Sequence, residues 1–347
     1  MLMRVRPGCR PWLLLILCGF LSASLGWAGE AVRLKGSGAS FPFPLYGLWF
    51  KEYGKSNRNI IIDYQAKGSG AGIRDFVNKT VDFAASDAAM TDEEMASVEG
   101  GVQLLPMTAG SIVLAYNLPD GPKDLKLSRE AYSKIFLGEV TKWNDPVIAQ
   151  ANPDAKMPAT DITVVRRADS SGTTFVFTQH LSAISEAWKN GPGAGTTVNW
   201  PSSDKFVASP KNDGVAATIK QTPGGIGYIE YGFAELGKLP MAFLQNKAGK
   251  YVKPSLESGQ AALAGVDLPA DLRVWVPDPS GEEAYPIVTY TWMVFYKKYD
   301  DPKKAETLRN VVKYCLVDGQ KMSGKMGYIP LPENVVQVVS RALDNIQ

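Results

Sequence analysis

The chain has 347 residues, 45% of them hydrophobic and 21% charged, with 37 basic and 35 acidic side chains. That length and apolar content suit a folded protein of two ordinary domains and exclude a chain disordered throughout. A formal charge of +2 carries no basic excess of the kind nucleic-acid binders show, so nucleic acid is not expected as a partner.

Residues 1–28 read as a secretory signal. Arg4, Arg6 and Arg10 form a basic start, an apolar core follows, and Gly26-Trp27-Ala28 gives a small-x-small cleavage pattern. The core is short for a membrane span. Its removal turns the formal charge to −1 and takes away Cys9 and Cys18, leaving Cys315 with no internal disulfide partner. Export without disulfides fits a bacterial periplasmic protein.

Residues 32–42, Val-Arg-Leu-Lys-Gly-Ser-Gly-Ala-Ser-Phe-Pro, precede Leu45, Leu48, Trp49 and Tyr53 at helical spacing, which predicts a strand, a glycine turn and a helix. Pro42 and Pro44 fall where a first helical turn tolerates a missing N–H. A second unit follows: a strand at 60–64, the turn Gly68-Ser69-Gly70-Ala71, and a helix holding Ile73, Phe76 and Val77. In the third, residues 83–87 lead to Thr91 and Glu94, spaced as a capping box. Such alternation argues for an α/β sheet with ligands at the C-terminal ends of its strands. Gly-Ser-Gly-Ala occurs at 36–39 and 68–71 and is read as one turn chemistry used twice. Neither copy is a nucleotide fingerprint, because Phe41 and Ile73 stand where the third glycine belongs.

Residues 104–117 are long for one strand and carry Pro106 and Gly110, which predicts a crossing between lobes. A helix is predicted over 127–143, capped by Ser128, with Tyr132, Ile135 and Phe136 on its apolar side and Asn144-Asp145-Pro146 at its end.

Residues 166–177 read Arg-Arg-Ala-Asp-Ser-Ser-Gly-Thr-Thr-Phe-Val-Phe and precede a helix presenting Phe175, Val176, Leu181, Ile184 and Trp188. Residues 170–174 therefore occupy a strand-to-helix turn. Unpaired N–H groups point outward there, the helix dipole adds positive charge, and Gly172 permits close approach. Arg167 supplies a planar fork of donors for two oxygens of a tetrahedral anion. The chemistry is anion capture. Taken alone, the stretch reads equally as a Ser/Thr N-cap behind a surface Arg–Asp pair, with Arg166 the better candidate for surface pairing.

Beyond it, residues 191–195 read as a mobile surface loop, Asn212-Asp213-Gly214 leads into 215–219, and 223–229 form a turn and strand. Residues 286–296 are the predicted return crossing, with helices near 307–316 and 332–343 docking on the first lobe. Lobe 1 (29–110 plus 286–347) and lobe 2 (111–285), joined by two crossings, would make a hinge with a ligand cleft between them.

Several long motifs, in one order, resemble a known family: the glycine turns, Val-Asp-Phe-Ala-Ala-Ser-Asp at 81–87, Gly-Glu-Val-Thr-Lys-Trp-Asn-Asp at 138–145, residues 164–178, Asn212-Asp213-Gly214 and Gly225-Ile226-Gly227-Tyr228. They are similar to the periplasmic phosphate-binding proteins that serve bacterial ABC phosphate importers. The resemblance implies an α/β, two-lobed type II periplasmic binding fold, each lobe a mixed sheet flanked by helices, joined by two hinge crossings. It implies a monomer without cofactor or metal that closes on inorganic phosphate and delivers it to an inner-membrane ABC permease. Carried over by position, the phosphate contacts are Ser40, Phe41, Ser69, Asp87, Arg167, Ser171, Gly172 and Thr173, with Asp169 steadying the arginine. Phe41 would offer its backbone N–H and bury its ring. Ser40 replaces the family's usual Thr and Ser170 a common Gly.

The residue types also make sense by themselves. Phosphate near neutral pH keeps a proton, whereas sulfate offers acceptors only; an ionised Asp87 accepts the phosphate O–H and faces sulfate as an unpaired like charge. Ordinary structural roles would make Asp87 the N-cap of the next helix and Ser69 a turn serine. The rival from another class is a secreted phosphatase or other hydrolase using these hydroxyls. The sequence has one histidine, His180, predicted two helical turns beyond the site, and no Gly-x-Ser-x-Gly or His-Glu-x-x-His, so no enzyme activity is expected.

Overall fold

The computed structural model describes residues 31–347, and the expected signal at 1–28 lies outside the described residues. The chain opens as predicted with three strand–helix units: β1 (Val32–Gly38), α1 (Phe43–Ser56), β2 (Ile60–Ala66), α2 (Ser69–Val77), β3 (Phe83–Ser86) and α3 (Asp92–Ala96). Pro44 sits in the first turn of α1, whose Leu45, Tyr46, Trp49, Phe50 and Tyr53 are buried. Thr91 and Glu94 form the capping box of α3. β1 lies parallel between β2 and β3. The two Gly-Ser-Gly-Ala runs are not one turn used twice. The first completes β1, with the ring of Phe83 filling the space beside Gly36; the second opens α2. A Cβ on Gly72 would lie 2.4 Å from Gly38 Cα, so this glycine pair is what lets α2 seat on the end of β1.

Next come β4 (Val102–Asn117), β5 (Lys126–Leu127), α4 (Arg129–Phe136), α5 (Pro146–Ala149), β6 (Thr163–Arg167), α6 (Gly172–Ile184) and α7 (Glu186–Asn190). α4 is shorter than the expected 127–143. Gly138 turns the chain with φ +74°, and Trp143 leaves the helix to place its indole N–H on Gly224 O at 3.0 Å. Nor is 172–188 one helix: it breaks at Ser185, whose side chain caps α7, and Trp188 is buried from α7. Then follow β7 (Phe206–Ser209), α8 (Lys211–Gln221), β8 (Gly225–Glu230), α9 (Tyr231–Gly237), β9 (Phe243–Gln245), β10 (Tyr251–Val252), α10 (Leu256–Leu263) and β11 (Val288–Tyr296). The chain ends with α11 (Pro302–Tyr314), a π-helical turn, α12 (Gln320–Ser323) and α13 (Glu333–Ala342).

Eight strands form one ladder in the order β2-β1-β3-β11-β4-β8-β6-β7. The crossings expected at 104–117 and 286–296 are its central strands. Residues 102–111 of β4 pair antiparallel with β11, and residues 112–117 pair with β8. Pro106 does not break β4, because the register slips there: Thr291 faces Thr108 and Trp292 faces Pro106. All nine residues of β11 are buried, as a strand covered on both faces must be. Each half of the sheet has an aromatic core, with Tyr46, Trp49, Phe50 and Phe83 in the first and Phe136, Phe177, Trp200 and Tyr228 in the second. Among the described residues no helix is long and apolar enough to cross a membrane.

Candidate functional site

Four helices begin in one place. α1 starts just after Ser40-Phe41, α2 at Ser69, α6 at Gly172 and α8 at Lys211. The first N–H groups of each have no preceding turn to bond, and each dipole adds partial positive charge. The result is a point where anionic charge is welcome from several directions.

Arg167 ends β6 and is 4% exposed. Its Nε donates to Asp169 Oδ1 at 2.9 Å, one terminal nitrogen to Asp169 Oδ2, and the other to Thr173 Oγ1 at 3.2 Å. Tyr228 holds the backbone, its hydroxyl accepting the Arg167 N–H at 3.1 Å and bonding Thr174 Oγ1 at 2.7 Å. Asp169 also accepts the Lys211 N–H at 2.9 Å. Burial opposes ionisation of Asp169, but the hydrogen bonds and charge of Arg167 outweigh it and hold the carboxyl below its usual range. Surface pairing does not fall to Arg166, one terminal nitrogen of which donates to Arg167 O at 3.2 Å.

Asp87 is 1% exposed at the end of β3. Its Oδ1 accepts from Thr291 Oγ1 at 2.7 Å, and its N–H reaches Ser69 Oγ at 3.3 Å. It does not cap α3, since Thr91 does. A Cβ on Gly172 would fall 2.5 Å from Ser69 Oγ and 2.7 Å from Asp87 Oδ2, so the start of α6 rests against both. Burial pushes the Asp87 carboxyl up to about 7, against the pull of the Thr291 hydrogen bond and the Arg167 charge.

Ser171 caps α6 by accepting the Thr174 N–H at 3.1 Å. Phe41 buries its ring against Tyr328, whose hydroxyl donates to Phe41 O at 2.6 Å. Ser40 Oγ accepts from Asn212 twice, from its N–H at 3.2 Å and its side-chain amide at 3.0 Å. The same amide reaches Thr173 Oγ1 at 3.3 Å, while Asn212 Oδ1 accepts the Glu230 N–H at 3.0 Å. Burial pushes the Glu230 carboxyl well above its usual value, and the Asp87 charge nearby pushes it the same way.

Direct contacts or near neighbours thus link all eight expected contact residues and Asp169. Asn212 and Thr291 are the members sequence reasoning missed. Asn212 lies in a triplet read as leading into 215–219 and as one of the resembling motifs, but given no contact role, and Thr291 sits in an apolar strand with nothing to mark it. Replacing Asn212 by Ala removes its side-chain amide bonds to Ser40 and Thr173, leaves the backbone N–H on Ser40, and strands the buried Glu230 N–H. The expected result is a stability loss of about 1–3 kcal/mol and roughly tenfold weaker anion binding, read by denaturant melts and calorimetry.

Comparison with known proteins identifies the fold and the family. The profile of the PBP superfamily domain matches residues 26–318. Among solved structures, a high-affinity periplasmic phosphate-binding protein (PfluDING) bound with phosphate superposes with a TM-score of 0.75 at 21% identity, covering 89% of this chain and 93% of that one. Fold and matching profile define a two-lobed binding protein of the PBP superfamily. The phosphate-binding protein PstS of Xylella fastidiosa (strain Temecula1) is 36% identical over 313 residues, 89% of this chain and 84% of that protein. That of Pasteurella multocida is 36% identical over 327 residues, 93% of each. The chain belongs to the PstS family of phosphate-binding proteins.

Proposed function

We propose that this protein binds inorganic phosphate between its two lobes and hands it to an ABC phosphate import permease. The observation that carries this reading is the seam at Gly172. There a helix start and a buried Arg167–Asp169 pair from one side meet Ser69 and Asp87 from the other, placing donors around a single acceptor carboxylate. In this reading the N–H groups of Phe41, Gly172 and Thr173, the hydroxyls of Ser40, Ser69, Ser171 and Thr173, and the Arg167 guanidinium surround the phosphate oxygens. Asp87 accepts the phosphate's remaining proton. Asp169 fixes the guanidinium plane.

Residues 29–110 with 286–347 would form one lobe and 111–285 the other, hinged on β4 and β11. Export on a signal at 1–28 would bring the chain to the periplasm as a monomer. The family is a transport component rather than an enzyme family, and the His180 ring has both nitrogens engaged. Nδ1 donates to Pro277 O at 2.7 Å, which leaves Nε2 of the neutral ring to accept from the Tyr132 hydroxyl at 2.9 Å. Burial pushes that ring down to about 4, so it stays neutral near pH 7.

The test is a phosphate titration of protein first unfolded and dialysed to strip carried-over ligand. One phosphate should bind per chain, with no turnover of a chromogenic phosphomonoester. No heat of binding from refolded protein, or steady hydrolysis, would reject the reading.

A further inference from the structure

We propose a second anion site on the outer side of the 166–169 turn, in a cavity of about 530 Å³ walled by that turn and by residues 196–203 and Phe206. It shares Arg167 and Asp169 with the seam as part of its wall, but Ser40, Ser69, Asp87 and Gly172 do not line it. Its cation is Arg166. Alternation along β6 sends Arg166 and Arg167 to opposite sides. Arg167 turns to Asp169 and Thr173, and Arg166 turns into this cavity.

The Arg166 guanidinium has five N–H donors to satisfy. One terminal nitrogen donates to Arg167 O, while its buried Nε has no partner. The carboxylate on the cavity wall, Asp169, is already taken by Arg167 and the Lys211 N–H. Two guanidinium groups against one carboxylate leave the wall net positive. Hydroxyls of Thr197, Ser202 and Ser203 add neutral donors.

The wall is built rather than loose, although the preceding segment is glycine-rich. Thr196 O accepts the Ser171 N–H at 2.9 Å, its Oγ1 accepts from Ser170 Oγ at 3.0 Å, and the Gly195 N–H reaches Thr178 Oγ1 at 3.1 Å. Trp200 lines the cavity and is held by stacking on Tyr228, with ring centroids 5.9 Å apart and planes 14° apart. A preformed pocket of this kind loses little entropy on binding. Inorganic phosphate is too small to use Trp200 and Phe206 as well as Arg166. The class that uses all three is a small organic anion, a phosphate monoester or carboxylate on a planar ring, with its head on Arg166 and its ring on the aromatic wall.

The site is tested with inorganic phosphate kept saturating, so that binding in the cleft and binding here are read apart. Phenyl phosphate and benzoate are titrated by calorimetry, with benzyl alcohol as the neutral control. One equivalent of at least one anion should bind saturably and benzyl alcohol should not; the tighter anion tells ester from carboxylate. Arg166→Gln should weaken that binding at least tenfold and Thr197→Val by a few fold. Phosphate affinity in the cleft should stay within about threefold in both variants, which also reports that they are folded. Three outcomes overturn the proposal: no saturable binding of either anion, displacement of the cleft phosphate in place of an added equivalent, or binding that both substitutions leave unchanged.

Discussion

Gly172→Ala is expected to weaken phosphate binding by about tenfold to a hundredfold while leaving the fold intact. Gly172 is the first residue of α6 and its φ is not in the left-handed region, so alanine is compatible with the backbone and favoured over glycine in a helix. The added methyl has nowhere to go across the seam. It would meet Ser69 Oγ at 2.5 Å and the Asp87 side chain at 2.7 Å, both carried by the opposite half of the sheet. Overpacking of this kind costs about 1–3 kcal/mol, which is up to roughly a hundredfold in affinity. The cost applies only when the halves meet, so the ligand-free melting temperature should stay within about 2 °C while the phosphate-induced rise in melting temperature shrinks. Gly70 offers a matched control from the other side, because its Cβ would lie 2.0 Å from Ser170 Oγ. Wild-type affinity in Gly172→Ala would mean that phosphate does not bind in the geometry described here.

Much of this architecture could be read from the residues, for reasons that differ by region. The three opening units declare themselves because the first two helices show a 3.6-residue apolar stripe and the short acidic third is marked by its cap; the Thr91–Glu94 box is found where its spacing puts it. The central strands were visible, one as a run long for a single strand and the other as an aromatic and β-branched run, although the slip that accommodates Pro106 depends on the partner strand and leaves no local trace. Helix ends were legible least. Gly138 and Ser185 end or divide helices that apolar spacing alone would continue, because tertiary bonds such as Trp143 to Gly224 outweigh propensity.

At the site the pattern is similar. Arg167, Gly172 and Asp87 announce an anion site by residue type at strand and helix ends. Asn212 and Thr291 act through neighbours far away in sequence, and nothing nearby encodes their partners. Likewise, Gly36 to Ala39 looked like a second turn because sequence does not show that Phe83 will lie beside Gly36.

Asp87→Asn is expected to narrow the preference for phosphate over sulfate by about a hundredfold. In the wild-type chain one carboxylate oxygen is held by the Thr291 hydroxyl and the other lies beside Gly172 at the seam. Ionised, that second oxygen can only accept, so it welcomes the proton of phosphate and opposes sulfate; leaving such an acceptor unpaired in a dry site costs about 1–3 kcal/mol, more when it is charged. Asparagine keeps an oxygen for Thr291 and turns an N–H₂ to the anion, a donor that suits both ligands. The same carboxyl gives the argument a pH arm. Burial raises Asp87 from its ordinary value to about 7, so the ligand-free form with the lobes together is favoured at low pH and loses that advantage as pH rises through about 7. A protonated Asp87 donates, and sulfate does not titrate in this range. Wild-type sulfate binding should therefore strengthen as pH falls from 8 to 6, by up to about tenfold per unit where one proton is taken up, and Asp87→Asn should flatten that dependence. Calorimetry with both anions at pH 6, 7 and 8 reads the two effects together. Unchanged selectivity with an unchanged pH slope would remove Asp87 from the discriminating role and leave the choice of anion to the donors alone.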